Sequence, residues 1–285
     1  MAKGRELKGR IKSVENTRKI TRTMEMVATS KMKRATDRVV AARPYAIALG
    51  DMLGHVYTPE LAERFPLLRR PTQMKKVALL LLTANRGLCG AFNANLIKEA
   101  RARMAEWEAR DIAVEMHIVG KKGIGYFKYL GKNILTQRID ITDKPTAGDA
   151  ASLVDDLMAR FAAGQLDAVY ITGAKYKSAL SAPPATDAVL PVTPPAGGGP
   201  LRDFILAPSS DEILQALLPA YVRNAVYRAL VETEAGFQSA QRTAMKNATD
   251  NATDMLQVLK RTYNTARQAQ ITQEIAEIVG GAAAL

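Results

Sequence analysis

Apolar residues at helical spacing mark the beginning of the chain. They are separated by steps of three or four residues on an otherwise charged surface, and residues 1–43 contain no proline. This narrow stripe predicts a helix from about residue 4 to about residue 54, roughly 75 Å long at about 1.5 Å per residue. A helix so long and so sparsely apolar is not stable alone, so we expect a partner helix. The apolar positions are Leu7, Ile11, Val14, Ile20, Met24 and Val27.

A longer helical pattern fills the end of the chain, where residues 220–285 also lack proline. Ser209 or Ser210, followed by two acidic residues, is a suitable N-terminal cap, and Pro219 should kink the helix or mark a late start. The predicted span, about 211 to 279, would be on the order of 100 Å long, which indicates a coiled coil. The apolar positions are Val222, Val226, Tyr227, Leu230, Phe237, Met245, Met255, Leu256, Leu259, Tyr263, Ile271, Ile275 and Ile278, with alanines at 240, 244, 248 and 252.

The middle of the chain has a different pattern. Residues 77–82 form a short continuous apolar run, which is typical of a strand buried on both faces. Strand and helix patterns then alternate, which favours an α/β domain with a largely parallel, Rossmann-like sheet. The predicted elements are strands at 77–82, 114–119, 167–172 and 204–206, helices at 93–110 and 147–163, and a mobile loop at 183–200 that is rich in proline and glycine.

The fold class predicted from these patterns is α/β, with the Rossmann-like domain inserted between two terminal helices. Those helices are expected to pair as one long antiparallel coiled coil. We place the N-terminal helix at 1–56, the α/β domain at 74–208 and the C-terminal helix at 209–285.

The charge of the chain is uneven, within a net charge of +12. Residues 1–50 hold 13 Lys and Arg against 4 Asp and Glu, whereas residues 211–285 hold 7 against 8. A basic first helix suggests an anionic partner, which is nucleic acid, anionic lipid or an acidic protein surface, although a charge run is often only a solvated face. Residues 1–44 contain no aromatic side chain, so they offer no stacking platform for single-stranded nucleic acid, whereas duplex binding through phosphates stays open.

Cysteine usage and apolar runs indicate the compartment. Cys89 is the single cysteine, so no disulfide forms within the chain and a reducing compartment is expected. The N-terminus, with Lys3 and Arg5 close behind Met1, does not resemble a signal peptide. The strongly apolar run at 77–83 is too short to span a bilayer.

Candidate chemistry is sparse. The sequence contains no G-x-x-x-x-G-K-[ST] phosphate loop, and the glycines at 120, 123 and 125 do not complete a dinucleotide motif because position 128 is Lys, so we interpret them as a simple turn. His55 and His117 are too few for a zinc or acid–base site, and Cys89 is expected to be a packed thiol. No catalytic set, metal site or cofactor is predicted. An α/β enzyme with helical arms remains a third hypothesis, and it would require a pocket within 77–206 lined by titratable groups.

Four stretches of the chain are recognisable in sequence, namely Ile11–Arg34, Asn85–Asn93, Met245–Asn251 and Ala266–Ala282. In the same order along the chain, they resemble the ATP synthase gamma subunit family. The resemblance covers nearly the whole length, and its strongest parts lie at the two ends.

The resemblance implies a rotor with no active site of its own. Its paired helices would stand inside a ring of three alpha and three beta subunits, and its α/β domain would form a foot on the membrane ring of c subunits, beside the epsilon subunit. Proton flow would turn ring and shaft together and drive each beta subunit through its states. The expected location is peripheral, at the cytoplasmic face of a bacterial inner membrane, and no nucleic-acid partner is implied.

The resemblance also implies roles for individual residues. Four of them correspond to positions near an acidic loop of beta, namely Met24, Lys31, Lys33 and Arg34. Four more correspond to polar positions that contact a beta loop once per turn, namely Arg242, Arg267, Gln268 and Thr272. An apolar bearing at the top of the ring would contain Ile271, Ile275, Ile278, Val279 and Leu285.

The chain departs from the family pattern at two positions. The family commonly has Asp where Asn85 stands, which removes a charge beside Arg86 and puts a contact with beta there in question. The family usually has Glu where Ala207 stands, which puts one polar contact of the foot in question. The extra cysteine-bearing segment of chloroplast members and a transit peptide are both missing from the sequence, so a bacterial source without thiol switching is expected.

Overall fold

A computed structural model describes residues 2–57, 64–141, 143–193 and 210–283. The helices are α1 (Ala2–Val56), α2 (Phe92–Glu108), α3 (Lys121–Tyr129), α4 (Ala147–Ala162) and α5 (Ser210–Ala283), with a short 3-10 helix at Pro66–Leu68. The strands are β1 (Lys76–Leu82), β2 (Ala113–Val119), β3 (Ile134–Arg138), β4 (Ala168–Ala174) and β5 (Pro184–Leu190). Two compact units are formed, one from Met1–Thr29 with Gln241–Leu285 and the other from Ser30–Ala240, so α1 and α5 each belong to both.

The second unit is built on a five-stranded sheet in the order β3-β2-β1-β4-β5. The first four strands are parallel and β5 is antiparallel to β4. Helices α2, α3 and α4 connect successive parallel strands, which is the arrangement that alternating strand and helix patterns require. The prediction of a Rossmann-like α/β domain is therefore confirmed.

Strand β1 lies at the centre of the sheet and is buried on both faces, which explains its continuous apolar sequence. Val77, Leu79 and Leu81 belong to a core formed with α2 and α3. Leu80 and Leu82 belong to a core on the opposite face, formed with α4 and with the parts of α1 and α5 that lie in this unit. The two long helices thus cover one face of the sheet.

The first unit consists of the two long helices alone. Thr249 Oγ1 donates a hydrogen bond to Thr21 Oγ1 at 2.9 Å. In the second unit, Ala35 and Val39 of α1 cluster with α5 residues 231 and 235, whereas Leu49 and Leu53 of α1 share a core with α5 residues of lower number, 214–230. Within this unit residue numbers rise along one helix as they fall along the other, so the pairing is antiparallel, as predicted.

The contact stripe of α1 differs in part from the prediction. Leu7 and Ala28 are buried and so is Thr21, whereas Ile20 and Val27 are more than half exposed. Repeated steps of three and four residues from Leu7 lead to 14, 21 and 28, so the coiled-coil repeat selects the small or polar neighbour over the larger apolar residue. On α5 the same effect exposes Met255 and buries the adjacent residue, Leu256.

Three elements of the sheet domain were not predicted. The glycines at 120, 123 and 125 begin helix α3 and do not form a simple turn, and β3 follows that helix. Residues 184–190 form edge strand β5, so the prediction of a loop over 183–200 is wrong for them; Pro184 is the first residue of the strand, a position that proline tolerates. Helix α5 includes Pro219 and begins at Ser210, so the alternative of a late start is wrong. The predicted strand at 204–206, Ala207 and Leu285 lie outside the described residues.

Gly120→Ala should lower the melting temperature of the full chain by about 4–10 °C. Its φ is +100°, and an added Cβ would lie 2.0 Å from the carbonyl oxygen of Thr83, so either the backbone or the β1–α2 loop must move. Gly125→Ala is the matched control, because no atom lies within 4 Å of its added Cβ. Differential scanning fluorimetry compares the two, and a Gly120→Ala chain that melts with the wild type contradicts the close approach.

Candidate functional site

The predicted cationic positions of α1 differ in their surroundings. Lys33 and Arg34 are exposed. Lys31 is half-buried, and its ammonium group forms an ion pair with the carboxylate of Asp143, in the loop after β3. Lys31 therefore has a partner within this chain. The predicted role of Lys31, Lys33 and Arg34 toward an acidic surface remains a prediction.

The remaining predicted contact residues belong to the first unit. Met24 and Arg242 are half-buried, whereas Arg267, Gln268 and Thr272 are exposed. The side chains of Arg267, Gln268 and Thr272 thus stand on a solvent-facing part of α5. Contact with a partner loop requires these side chains to be exposed, but exposure alone does not test that contact, which remains a prediction.

The end of α5 carries exposed apolar side chains and has no partner helix among the described residues. Counting back from Thr21 to Ala2, where α1 begins, and forward by the same number from Thr249, ends near residue 268, so the last turns of α5 extend past the beginning of α1. Every residue from 271 to 280 is exposed. The exposed fractions of the large side chains are 47% for Ile271, 57% for Ile275, 71% for Ile278 and 62% for Val279. Apolar side chains so exposed on a single helix indicate a surface that another protein covers.

The N-terminus of α3 lies at the carboxyl edge of the sheet, where Rossmann-like domains often bind phosphate. Here the four backbone N–H groups of residues 120–123 all donate to acceptors of this chain, at 2.8–3.3 Å. The acceptors are Arg138 O, Asn85 Oδ1, Ala84 O and Thr83 Oγ1. A phosphate at this helix end would have to displace them.

Helix α5 lies against the end of β4, next to the point where the strand order changes direction between β1 and β4. Ala174 N donates to Thr233 Oγ1 at 3.0 Å. A Cβ on Gly173 would lie 2.7 Å from the same hydroxyl oxygen, and a Cβ on Gly236 would lie 2.9 Å from the Cβ of Ala182. The two glycines thus allow helix and strand end to approach closely. In open α/β sheets this crevice is where ligands bind, and in this chain part of it is filled by the chain's own helix.

A cavity of about 500 Å³ remains beside this contact. Glu234 of α5 lines it, together with Asp143 and Lys144 from the loop after β3, Arg86 from the loop after β1, and Lys121 at the start of α3. The amide nitrogen of Gln238 donates to Glu234 Oε1 at 2.6 Å. Gln238 itself is 1% exposed, and its amide oxygen has no partner among the described residues.

The two carboxyl groups of this cavity have opposite pKa shifts. Burial raises the pKa of Glu234 to about 7, and the negative charge of Asp143 adds to the effect, against the hydrogen bond from Gln238 and the charges of Lys31 and Arg38. Burial also acts to raise the pKa of Asp143, but the bond and charge of Lys31 outweigh it and the pKa is lowered. One acid is thus held ionised while its neighbour holds its proton up to neutral pH.

Asn85 acts as a clamp between three segments. Its Oδ1 accepts from Lys121 N at 3.0 Å, and its Nδ2 donates to the carbonyl oxygens of Ile139 at 3.0 Å and Ile141 at 3.3 Å. An aspartate has no donor for those two carbonyls. Asn85, which stands where the family commonly has Asp, therefore has a structural role within this chain that an aspartate could not fill.

The other reactive side chains are packed. Cys89 is buried, burial raises the pKa of its thiol, and Asn93 donates to its sulfur. His117 is buried between strands, where burial lowers its pKa and Thr136 contacts its Nδ1. Within the described ranges, no group of three or more His, Cys, Asp or Glu side chains is arranged to hold a metal ion.

The residues where α5 contacts the end of β4 were not predicted from the sequence. Thr233, Glu234 and Gln238 lie in a continuous helical pattern, and their partners Asp143 and Ala174 are distant along the chain. The paired small residues, Gly173 and Gly236, were the available signal, because a glycine inside a strand or helix often marks a close backbone approach.

The ATP synthase family model matches residues 3–285. The ATP synthase gamma chain of Gemmatimonas aurantiaca is 77% identical over 288 residues, covering 100% of this chain and 99% of the relative. The ATP synthase gamma chain of Leptospira biflexa is 42% identical over 290 residues, covering 100% of both chains. The chain belongs to the ATP synthase gamma-chain family. It is therefore a subunit of the ATP synthase, a membrane-associated complex.

Solved structures support the fold of this gamma-chain family member. A chain of the Euglena gracilis mitochondrial ATP synthase, in a structure of OSCP, F1 and c-ring, matches with a TM-score of 0.69 and 22% identity, over 99% of this chain and 94% of its own length. A chain of the Tetrahymena thermophila structure described as central stalk and c-ring matches with a TM-score of 0.63 and 23% identity, over 80% and 99%. Among the described residues, no helix is both long and apolar enough to cross a membrane.

Glu234→Gln should change how stability depends on pH. The folded pKa of about 7 lies above the ordinary value of 4.5, so the folded chain binds the proton more tightly and wild-type stability falls as pH rises from about 4.5 through about 7. The variant cannot ionise, so its melting temperature relative to wild type should rise over this range and level off above about pH 8.

Thermal denaturation between pH 5 and 8.5 measures this difference. Asp140→Asn is the control, because the hydrogen bond from Arg138 lowers the pKa of Asp140 to about 2 and the group stays ionised throughout. Its effect should therefore not vary with pH in this range. Parallel pH profiles for wild type and Glu234→Gln would contradict a proton held by Glu234.

Proposed function

We propose that this gamma-chain family member is the rotating central shaft of a proton-driven ATP synthase of the F type. The full-length identity to bacterial gamma chains, 77% over 288 residues, is the observation that carries the proposal. In this role the chain supplies no catalytic group. It couples rotation of the c ring to conformational change at the catalytic beta subunits, for ATP synthesis or hydrolysis.

The exposed apolar end of α5 supports a bearing at the top of the shaft. Apolar contact is nondirectional, so a ring of apolar side chains can hold a helix tip without fixing its angle. Ile271, Ile275, Ile278 and Val279 are all exposed, and their spacing places them on one face of the last turns of α5. An exposed apolar face at a helix tip suits contact with an apolar collar.

The polar positions of α5 have the opposite physical character. Hydrogen bonds and charge-assisted contacts are directional, so they favour particular angles between shaft and ring. Gln268, Arg267 and Thr272 are exposed one turn or less from the apolar tip. We assign them, with Arg242, to contacts that form and break once per beta subunit, and we assign Met24, Lys31, Lys33 and Arg34 to an acidic loop of beta.

The partners follow from this role. The helix pair is surrounded by three alpha and three beta subunits, and the sheet domain contacts the c ring and the epsilon subunit. The chain is peripheral to the cytoplasmic face of the bacterial inner membrane. The basic surface of α1 then serves an acidic protein loop and does not bind nucleic acid.

Reconstitution tests the assignment against the nucleic-acid hypothesis. We expect the full chain to co-purify with co-expressed alpha and beta subunits, and the ATPase activity of the assembly to depend on its presence. A titration with duplex DNA at physiological salt is run alongside. Tight DNA binding without any alpha–beta assembly would reject the shaft.

Gln268→Leu should weaken coupling more than assembly. The substitution keeps the size of the side chain and removes its hydrogen bonds, so one directional contact per beta subunit is lost, at about 1 kcal/mol or about fivefold in rate. ATP synthesis by reconstituted vesicles is compared with the yield of assembled complex. Gln257→Leu is the control, since Gln257 is also exposed on α5 but lies outside the assigned set. If the Gln268→Leu enzyme assembles and makes ATP at the wild-type rate, Gln268 is not part of the contact.

A further inference from the structure

The end of β4 is hydrogen-bonded to both long helices within the second unit. Ala174 N donates to Thr233 Oγ1 at 3.0 Å, and Tyr176 N donates to a carboxylate oxygen of Glu232 at 3.2 Å, both on α5. The hydroxyl of Tyr176 pairs with that of Thr36, on α1, at 3.0 Å. Residues 173–176 therefore contact two helices that are themselves paired, and we call this segment with its three hydrogen bonds to the helices the β4 joint.

The β4 joint is tight. Thr233 is 7% exposed, and Gly173 leaves no room for a Cβ beside its hydroxyl. Ala35, Val39, Val231 and Ala235 form a small buried cluster next to Tyr176. Water is thus kept from the Ala174–Thr233 bond, so loss of the hydroxyl leaves a buried N–H group without an acceptor.

A second attachment lies on a different loop of the sheet. Asp143, after β3, forms an ion pair with Lys31, and its carbonyl oxygen accepts from Arg38 Nη1 at 2.7 Å. Both cations belong to α1. One attachment alone would act as a pivot, whereas attachments on two separate loops resist rotation of the helices relative to the sheet.

Packing and hydrogen bonding contribute differently to such resistance. Apolar surfaces stay in contact when they slide past each other, because burial is nondirectional. A hydrogen bond weakens steeply when its angle or length changes. The directional bonds of the β4 joint therefore set how stiffly the sheet domain follows the helices.

We propose that the β4 joint, with Thr233 as its central positioning residue, transmits torque between the sheet domain and the helix pair. This inference rests on the proposed function as a rotating shaft and goes beyond it, because it assigns the coupling of foot to shaft to specific bonds. Thr233 acts through the Ala174 amide and contacts no partner subunit in this role.

Hydrogen exchange at the Ala174 amide is the direct test on the full chain. Thr233→Val keeps the shape of the side chain and removes the acceptor, so Ala174 exchange should accelerate roughly five- to thirtyfold. Thr233→Ser restores the hydroxyl and should exchange near the wild-type rate. If the Ala174 amide of Thr233→Val exchanges at the wild-type rate, the proposed joint is wrong, because the bond to Thr233 would then not protect that amide.

Angular fluctuation in the assembled complex tests the mechanical role. Tyr129→Cys supplies a label site on the sheet domain, because Tyr129 is 88% exposed and the native Cys89 is buried. With the complex stalled by a non-hydrolysable ATP analogue, a bead at residue 129 should fluctuate over a wider angle in Thr233→Val than in wild type or Thr233→Ser. ATP hydrolysis without load should stay unchanged.

The outcomes separate this inference from the proposed function. If the bead on the Tyr129→Cys chain does not rotate with ATP in the otherwise wild-type complex, the shaft function itself fails. If it rotates but Thr233→Val fluctuates like Thr233→Ser, the shaft stands and the β4 joint is wrong. Tyr176→Phe removes only the hydroxyl that reaches Thr36 and is the second variant if Thr233→Val does not assemble. The same broadening is expected for it, and its absence overturns the joint.

Discussion

Helix α5 lies directly against the carboxyl ends of the parallel strands, and the remainder of the second unit depends on that contact. The crevice beside β1 and β4 is the natural ligand position of an open α/β sheet. Here a threonine hydroxyl of α5 accepts the backbone amide that follows Gly173, and the glycine makes the approach possible. The donors at the N-terminus of α3 are likewise used within the chain. In this chain, the crevice that commonly binds small molecules in such folds is therefore partly filled by helix α5.

The same contact sets the electrostatics of the domain. Because α5 covers part of the sheet edge, Glu234 is brought beside Asp143, and only one of the two carboxyl groups has a cation bonded to it. Burial favours the neutral form of Glu234 and the charge of Asp143 adds to this, so the acid without a bonded cation keeps its proton up to neutral pH. The opposite shifts of the two acids thus follow from the position of α5 against the sheet edge.

Much of the architecture could be predicted from periodicity, and the failures have physical causes. The run at 77–82 predicted a strand buried on both faces because every residue in it is apolar, and β1 has that burial. Strand β5 was missed because a proline begins it and its next four side chains are small or polar, so this edge strand resembles a loop in sequence. Ile20 was placed in the helix contact on hydrophobicity, whereas the 3.5-residue repeat selects Thr21. Thr233 and Glu234 owe their roles to partners far away in sequence, which a local pattern cannot reveal.

The pairing of the first helix with the last has a consequence for how the chain is made. Thr21 and Thr249 are separated by 228 residues, so at about 5–20 residues per second the ribosome needs on the order of 10–50 s between them. During that time α1 is complete but lacks the helix that covers its apolar stripe, and a lone helix of this composition is only marginally stable in water. The sheet domain lies between the two helices in sequence, but α5 also covers one face of its sheet, so that face is completed only when α5 has been made. The helix pair is therefore completed only at the end of synthesis, although its first half is the first part synthesised.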